Sequence, residues 1–226
     1  GSNMVLNGQW DAAQADTLQL SASLVRSAGD LQIPAPEHNN QVQAAGVRDA
    51  QLQVRVNAND VVASLRWVSD RAGRAMADLR TQLQSQNGQL AWAMNAPVTG
   101  ALNIQMPPIA AWSVLAPPGW RLRGTLDANA TLAGTRSQPQ WRGTLQAKDL
   151  AVRSVADGID FQQGTLVARL DGQQLVIEDF TLFGPDGAAG GQVKVTGVAQ
   201  WLPALQSATG MAQRVRITLD ANAKTL

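Results

Sequence analysis

Cysteine is absent from the 226 residues, which removes disulfides, thiolate nucleophiles and cysteine-ligated metal sites together. There is one histidine, His38, and no tyrosine, so a histidine-rich metal site is excluded as well. Glutamate occurs twice, as Glu37 and Glu178. A catalytic acid, base and nucleophile set has little to draw on, and the composition predicts a non-enzyme without cofactor or metal. Charge is also scarce: charged residues are 15% of the chain, against roughly 25% in soluble domains. The net charge of +1 leaves little field to attract nucleic acid. No run approaches the roughly 20 apolar residues of a membrane helix, and no basic-then-apolar signal peptide opens the chain. Aromatics are 4% while hydrophobic residues reach 45%, so the apolar content is mostly Ala, Leu and Val.

What is present alternates. Leu18, Leu20, Ala22 and Leu24 are separated by Gln19, Ser21 and Ser23; Leu52, Val54 and Val56 by Gln53 and Arg55. A period of two gives a strand one apolar and one polar face. Similar runs cover Val61–Val68, Ala75–Leu83, Leu90–Met94, Val98–Ile104, Leu122–Leu132 and Leu175–Leu182, with Val193–Val195 and Val215–Leu219 after them. Asn87-Gly88 and Asp171-Gly172 predict two-residue type I′ hairpin turns, and Asp157-Gly158 a third turn. Successive strands should be antiparallel neighbours in a long meander. Two short helices are expected, over 107–115 between prolines and over 198–205, and residues 33–40 read as a loop.

Gly124-Thr125-Leu126 recurs as Gly143-Thr144-Leu145 and Gly164-Thr165-Leu166. The offsets of 19 and 21 residues suggest two strands and a turn per copy, hence an elongated array whose units touch only their neighbours. Residues 4–226 are expected to form a single elongated β-repeat region; Gly1-Ser2-Asn3 reads as a cloning remnant, so the whole is expected to be an internal fragment of a larger protein. The fold class is all-β, a mostly antiparallel curved sheet with one or two short helices.

An apolar sheet face usually packs on a second sheet. Here many positions of apolar parity are small: Ala63, Ala77, Ala128, Ala130, Ala147 and Ala168. Such a lining fills a 10 Å inter-sheet space poorly. It leaves room for a linear alkyl chain, which gains about 0.8 kcal/mol per buried methylene. The lining is expected to include Val54, Leu65, Trp92, Leu126, Leu145 and Leu166. Other motifs are weak. The glycine-rich stretch 184–191 lacks the Lys-Ser/Thr and helix of a phosphate loop, and Glu178-Asp179, adjacent on a strand, should face opposite ways. Asp157 and Asp160 are expected to be solvated, and Trp120 and Trp141 to close strand ends or stack on a sugar.

From Pro117-Pro118-Gly119-Trp120 onward the spacing of Gly, Leu and Pro becomes specific. It runs through Leu132-Ala133-Gly134-Thr135, Pro139-Gln140-Trp141-Arg142-Gly143, Leu150-Ala151-Val152, Gly158-Ile159 and Leu175-Val176-Ile177 to Gly190-Gly191. This stretch resembles the TamB family of the AsmA-like group, over about residues 98–200. The resemblance implies a sheet folded lengthwise like a taco shell around an apolar groove. It implies a segment of a bridge across the periplasm of a Gram-negative bacterium, anchored in the inner membrane through the full-length protein and carrying phospholipid to the outer membrane. A TamA-like Omp85 partner and support of autotransporter and outer-membrane protein assembly are implied too. Two other classes stay open: a β-sandwich module for carbohydrate or protein ligands, and an enzyme using distant Asp or Glu residues.

Overall fold

Each alternating run becomes a strand, because alternation satisfies one wetted and one apolar face at once. The computed structural model describes residues 2–14, 17–34, 42–86, 89–107, 119–154, 156–207 and 210–224. The first half of the main sheet comprises β1 (Val5–Gln14), β2 (Leu18–Ala28), β5 (Val47–Asn57), β6 (Asp60–Ser69), β7 (Gly73–Gln82) and β10 (Val98–Met106). The second half comprises β11 (Trp120–Gly134), β12 (Pro139–Ser154), β13 (Ile159–Gly172), β14 (Gln174–Gly184), β15 (Gly187–Ser207) and β16 (Gly210–Lys224). These twelve strands stand in chain order in one antiparallel sheet that does not close into a barrel. Two short hairpins leave it: β3 (Gln32–Pro34) with β4 (Val42–Ala44), and β8 (Gln84–Gln86) with β9 (Gln89–Ala91).

The sheet is a single layer. Strands contact their hydrogen-bonded neighbours, with β12 and β14 the one further pair of note. The molecule exposes 14229 Å², whereas a compact monomer of 23.9 kDa exposes about 9,900 Å². Among the described residues no second sheet covers the apolar face, so the sandwich arrangement is not formed. Among the described residues the largest side chain that is fully buried is a serine, Ser154.

A line of bulges crosses the second half of the sheet. Register shifts fall at Gly124 in β11, at Lys148-Asp149 in β12, at Gln163-Gly164 in β13 and at Glu178-Asp179 in β14. Asp149 and Gln163 have positive φ there, 52° and 54°. A bulge bends its strand and increases its twist. Four in a row crease the sheet lengthwise, which is how an open sheet curves without closing.

Several details depart from the sequence reading. Residues 198–202, read as helix, are extended: Val198, Ala199 and Gln200 pair with Val176, Leu175 and Gln174, and the strand runs on to Ser207 despite Pro203. The helix expected over 107–115 lies, Pro107 excepted, outside the described residues. Ile33 and Pro34, placed in a loop, form part of β3, and the remainder of 33–40 is outside the described residues. Asn87-Gly88 is likewise outside them, but the strands it joins are the three-residue β8 and β9; β7 pairs with β10 instead. Asp171 pairs with Gln174, so the turn residues are Gly172-Gln173, with positive φ at Gly172 alone. Glycine first and negative φ second is the type II′ pattern, not type I′. The three Gly-Thr-Leu copies occupy β11, β12 and β13, one to a strand, so their spacing spans one long strand and its turn.

Candidate apolar trough

One row of directly opposed residues crosses the sheet without interruption. It runs Gly8, Leu24, Leu52, Leu65, Ala77, Leu102, Ala130, Gly143, Leu170, Leu175, Ala199, Ile217, one from each strand. Every member is apolar or glycine. The neighbouring row, one residue along and on the other face, runs Asn7, Val25, Gln51, Arg66, Met76, Asn103, Asn129, Thr144, Arg169, Val176, Val198, Thr218. Eight of these twelve are polar, so polarity separates by face over most of the sheet, with Val25, Met76, Val176 and Val198 the exceptions.

Two further rows share the apolar face. One carries Ala50, Trp67, Ala75, Ile104, Ala128, Leu145, Ala168, Ile177, Gly197 and Leu219. The other carries Met106, Leu126, Ala147, Leu166, Phe180, Val195 and Ala221. Large and small alternate across strands: Leu126–Ala147–Leu166 and Ala128–Leu145–Ala168. The alanines sink between the leucines, with Ala147 3% and Ala168 1% exposed although no second sheet covers them among the described residues. The leucines stay open to solvent. Leu24, Leu52 and Leu65 adjoin on three neighbouring strands at 38%, 42% and 42% exposure. A contiguous apolar patch of this kind marks an interaction surface on a water-exposed protein. Leu52, Leu65, Leu79, Leu102, Leu132 and Trp141 line a depression of about 220 Å³ in it.

Five of the six residues expected to line a groove, Val54, Leu65, Leu126, Leu145 and Leu166, fall on this face. Trp92 does not belong to the floor. The chain leaves its strand after Ala91, and the Trp92 indole N–H donates to Thr81 Oγ1 at 2.8 Å at one strand end. Thr81 in turn donates to the Pro97 carbonyl at 2.7 Å. The Arg136 guanidinium lies 4.8 Å from the centre of the indole ring and also donates to the Trp92 carbonyl. Cation–π attraction of this sort pins the β8–β9 excursion to the β11–β12 turn. Trp92 is thus a rim residue.

A second lip stands at the opposite strand ends. Ile33, Ala45, Val47 and Ala72 form a small dry cluster, against which Met4, Leu31, Ala50 and Trp67 pack. Ala50 and Trp67 belong to the floor, so β3–β4 folds over the apolar face. The Asp30 carboxylate holds it there, accepting from the backbone N–H groups of Leu31 at 2.7 Å, Gly46 at 3.0 Å and Val47 at 3.2 Å. Ser2 and Asn3 join this lip, Asn3 Oδ1 accepting from the Asp30 N–H at 2.8 Å. The Trp67 indole N–H is buried beneath without a hydrogen-bond partner. No signal in the sequence marked this lip, because Asp30 and Ala45 lie between recognisable strands.

Charge lies on the outer face and toward the strand ends; Arg26, opposite Leu6 on the apolar side of β2, donates to the Gly29 carbonyl at 3.0 Å. No charged residue occupies the three apolar rows. The bulge in β14 turns Glu178 and Asp179 to the same, outer, side, contrary to simple alternation. Each is taken by its own cation: Glu178 by Arg169 at 3.1 Å and Asp179 by Lys194 at 2.9 Å. The Lys194 ammonium lowers the Asp179 carboxyl below its ordinary value, helped by hydroxyls of Thr181 and Thr165. Bonds to Asp171 first and to Glu178 next raise the Arg169 guanidinium above its own. Neutralised pairs of this kind do not form a catalytic dyad. Asp157 is not merely solvated: it accepts from Trp120 Nε1 at 2.9 Å and from Ser154 Oγ at 2.6 Å, closing the β12–β13 turn. Trp120 is thereby held at a strand end, while Trp141 lies on the apolar face. Asp160 faces Arg153 at 3.6 Å. His38 and Glu37 lie outside the described residues. Among the described residues no group of His, Asp or Glu could hold a metal, and no helix is long and apolar enough to cross a membrane. No protein-family model matches the chain, and neither does any curated protein or solved structure.

Proposed function

We propose that the apolar face is a trough for the acyl tails of phospholipids, and that the chain is a segment of a TamB-like lipid conduit. The observation that carries this reading is the unbroken apolar row of twelve residues, one per strand, over which no second sheet lies among the described residues. Twelve strands at about 4.8 Å spacing give a floor about 53 Å long. A tail laid on it gains about 0.8 kcal/mol for each methylene removed from water. The three apolar rows offer no cation to a phosphate, so tails are held and headgroups stay at the open seam. The same uniformity along the row leaves no preferred stopping place, which suits passage better than storage.

The wider setting is part of the same proposal and rests on the sequence resemblance. The segment works in the periplasm of a Gram-negative bacterium, anchored through the full-length protein in the inner membrane. It acts with a TamA-like Omp85 partner in outer-membrane protein and autotransporter assembly and secretion. Native mass spectrometry of the purified chain tests the central claim: phospholipid should copurify, and delipidated protein should take up a fluorescent phospholipid. A folded, delipidated protein that takes up none refutes the trough.

A further inference from the structure

The two lips of the trough differ in charge. The lip around β3–β4 carries both signs, Arg26, Arg48 and Arg71 with Asp30 and Asp70, and Arg48 is paired with Asp70 at 2.6 Å. The opposite lip draws on the β8–β9 excursion and the β11–β12 turn. Across residues 83–99 and 133–141 Arg136 is the one charged residue. Among the described residues no carboxylate pairs with it. A guanidinium without a counter-charge thus stands at the mouth of an apolar channel. We infer that Arg136 receives the phosphate of a phospholipid whose tails lie on the neighbouring floor. This rests on the reading of the trough as an acyl-chain site and adds to it a contact for the headgroup.

Arg136 is held in place by backbone and side chain together. Its own N–H donates to the Ala96 carbonyl at 3.0 Å, and the Ser137 N–H to the Met94 carbonyl at 2.9 Å. Thr135 bridges to Pro97 beside them. The guanidinium lies over the Trp92 ring and gives one donor to the Trp92 carbonyl. A guanidinium has five N–H donors in a planar fork that matches the oxygens of a phosphate. Among the described residues the rest of the fork has no hydrogen-bond partner. Stacked on an indole it is already oriented, so little freedom is lost when an anion binds.

The floor lies within a lipid's reach. Thr81 and Val98 pair at this rim, and Ala93, Ala96 and Val98 are buried there. Two residues inward, Leu79, Gly100, Leu132 and Trp141 form the next row of the apolar face. Leu79, Leu132 and Trp141 are walls of the depression of about 220 Å³. The turn that carries Arg136 joins the strands of Leu132 and Trp141. Two strand residues span about 6.8 Å, comparable to the glycerol and ester groups that separate a phosphate from the first methylenes. Tails in the depression therefore put a phosphate beside the guanidinium, off the apolar row. A contact this exposed orients a passing lipid without trapping it.

The test uses two fluorescent lipids with the same tails, phosphatidylglycerol and the uncharged diacylglycerol, offered to delipidated protein in one neutral detergent. Arg136→Gln should weaken phosphatidylglycerol binding about fivefold, the scale of an exposed ion pair, and leave diacylglycerol binding unchanged. Arg136→Lys, which keeps the charge, should recover part of the loss. Arg142→Gln, which removes a cation from the outer face, should bind both lipids as the parent does. Added salt should narrow the parent's preference between the lipids and leave Arg136→Gln indifferent. Equal losses for both lipids reduce Arg136 to a prop of the lip and overturn the inference, and so does an equal loss in Arg142→Gln. An unchanged ratio of the two affinities in Arg136→Gln overturns it while the trough stands. Glycerol 3-phosphate displacing the lipid at equal concentration overturns it in favour of a free-phosphate site. Binding of neither lipid refutes the trough itself, and the inference with it.

Discussion

Leu145→Arg places a charge in the middle of the trough floor. Leu145 is half-buried and flanked across strands by Ala128 and Ala168. Complete burial of a leucine is worth about 1.5–3 kcal/mol, so half of it costs about 1 kcal/mol of fold stability. The arginine stem can lie over the alanines with its head in water, which limits the loss. For a chain of this size about 1 kcal/mol lowers Tm by roughly 2–4 °C. A bound acyl tail loses more. If about three methylenes cross the Leu145 side chain, displacing them forfeits about 2.4 kcal/mol, or roughly a fiftyfold weaker binding. Titrating delipidated protein into fluorescent phospholipid measures this, with circular dichroism to confirm unchanged strand content. The control is Gln146→Arg, one residue along on the outer face and opposite Asp127, which should bind as the parent does. Binding within threefold of the parent by folded Leu145→Arg, or an equal loss in Gln146→Arg, refutes the assignment of tail contact to this face.

Three further outcomes follow from the packing. A Cβ on Gly143 would stand 2.1 Å from the Asn129 carbonyl oxygen and 2.6 Å from the Ala130 Cα, so Gly143→Val should cost about 3 kcal/mol or more in urea unfolding. Ala101→Val, on the exposed outer face, should stay within about 0.5 kcal/mol. Asp30→Ala removes the acceptor of three backbone N–H groups and should cost about 2 kcal/mol. Hydrogen exchange should rise first at residues 31–34 and 42–47, and uniform acceleration through β11–β13 would contradict a local lip. Asp179 has a lowered carboxyl pKa, so its contribution is present above the unfolded value of 3.8 and lost as pH falls through the folded one. Asp179→Asn should therefore be less stable at pH 7 by under about 1 kcal/mol, and the deficit should close in strong acid. A deficit that widens with acid reverses the sign and the argument.

Face assignment was legible because each strand has one apolar side. Parity at Val54, Leu65, Leu126, Leu145 and Leu166 survives, since turns and bulges restore the same face on the next strand. The bulges themselves carry no such signal. Gln163 adopts positive φ without being a residue type that favours it; Asp149 tolerates it, but no glycine follows to mark a turn, and the Glu178-Asp179 bulge defeats a rule that assumes regular pleating. The position of Trp92 at the rim was hidden for a related reason: alternation at Leu90, Trp92 and Met94 is too short to show that the chain leaves its strand after Ala91. Residues 198–205 carry apolar spacing and a proline that suit a short helix, yet pairing with β14 on one side and β16 on the other outweighs local preference. That no second sheet covers the apolar face among the described residues followed from no single residue; only the excess of small side chains pointed that way.

Because strands of the main sheet pack chiefly on their hydrogen-bonded neighbours, the sheet is a ruler. Each hairpin contributes two floor residues to a row and about 9.6 Å of reach, and it leaves the orientation of everything downstream unchanged. Loss of one strand instead would bring two like-directed strands together and break the ladder. Length can thus be altered in whole hairpins, like links in a watch strap, while the width and chemistry of the channel stay constant.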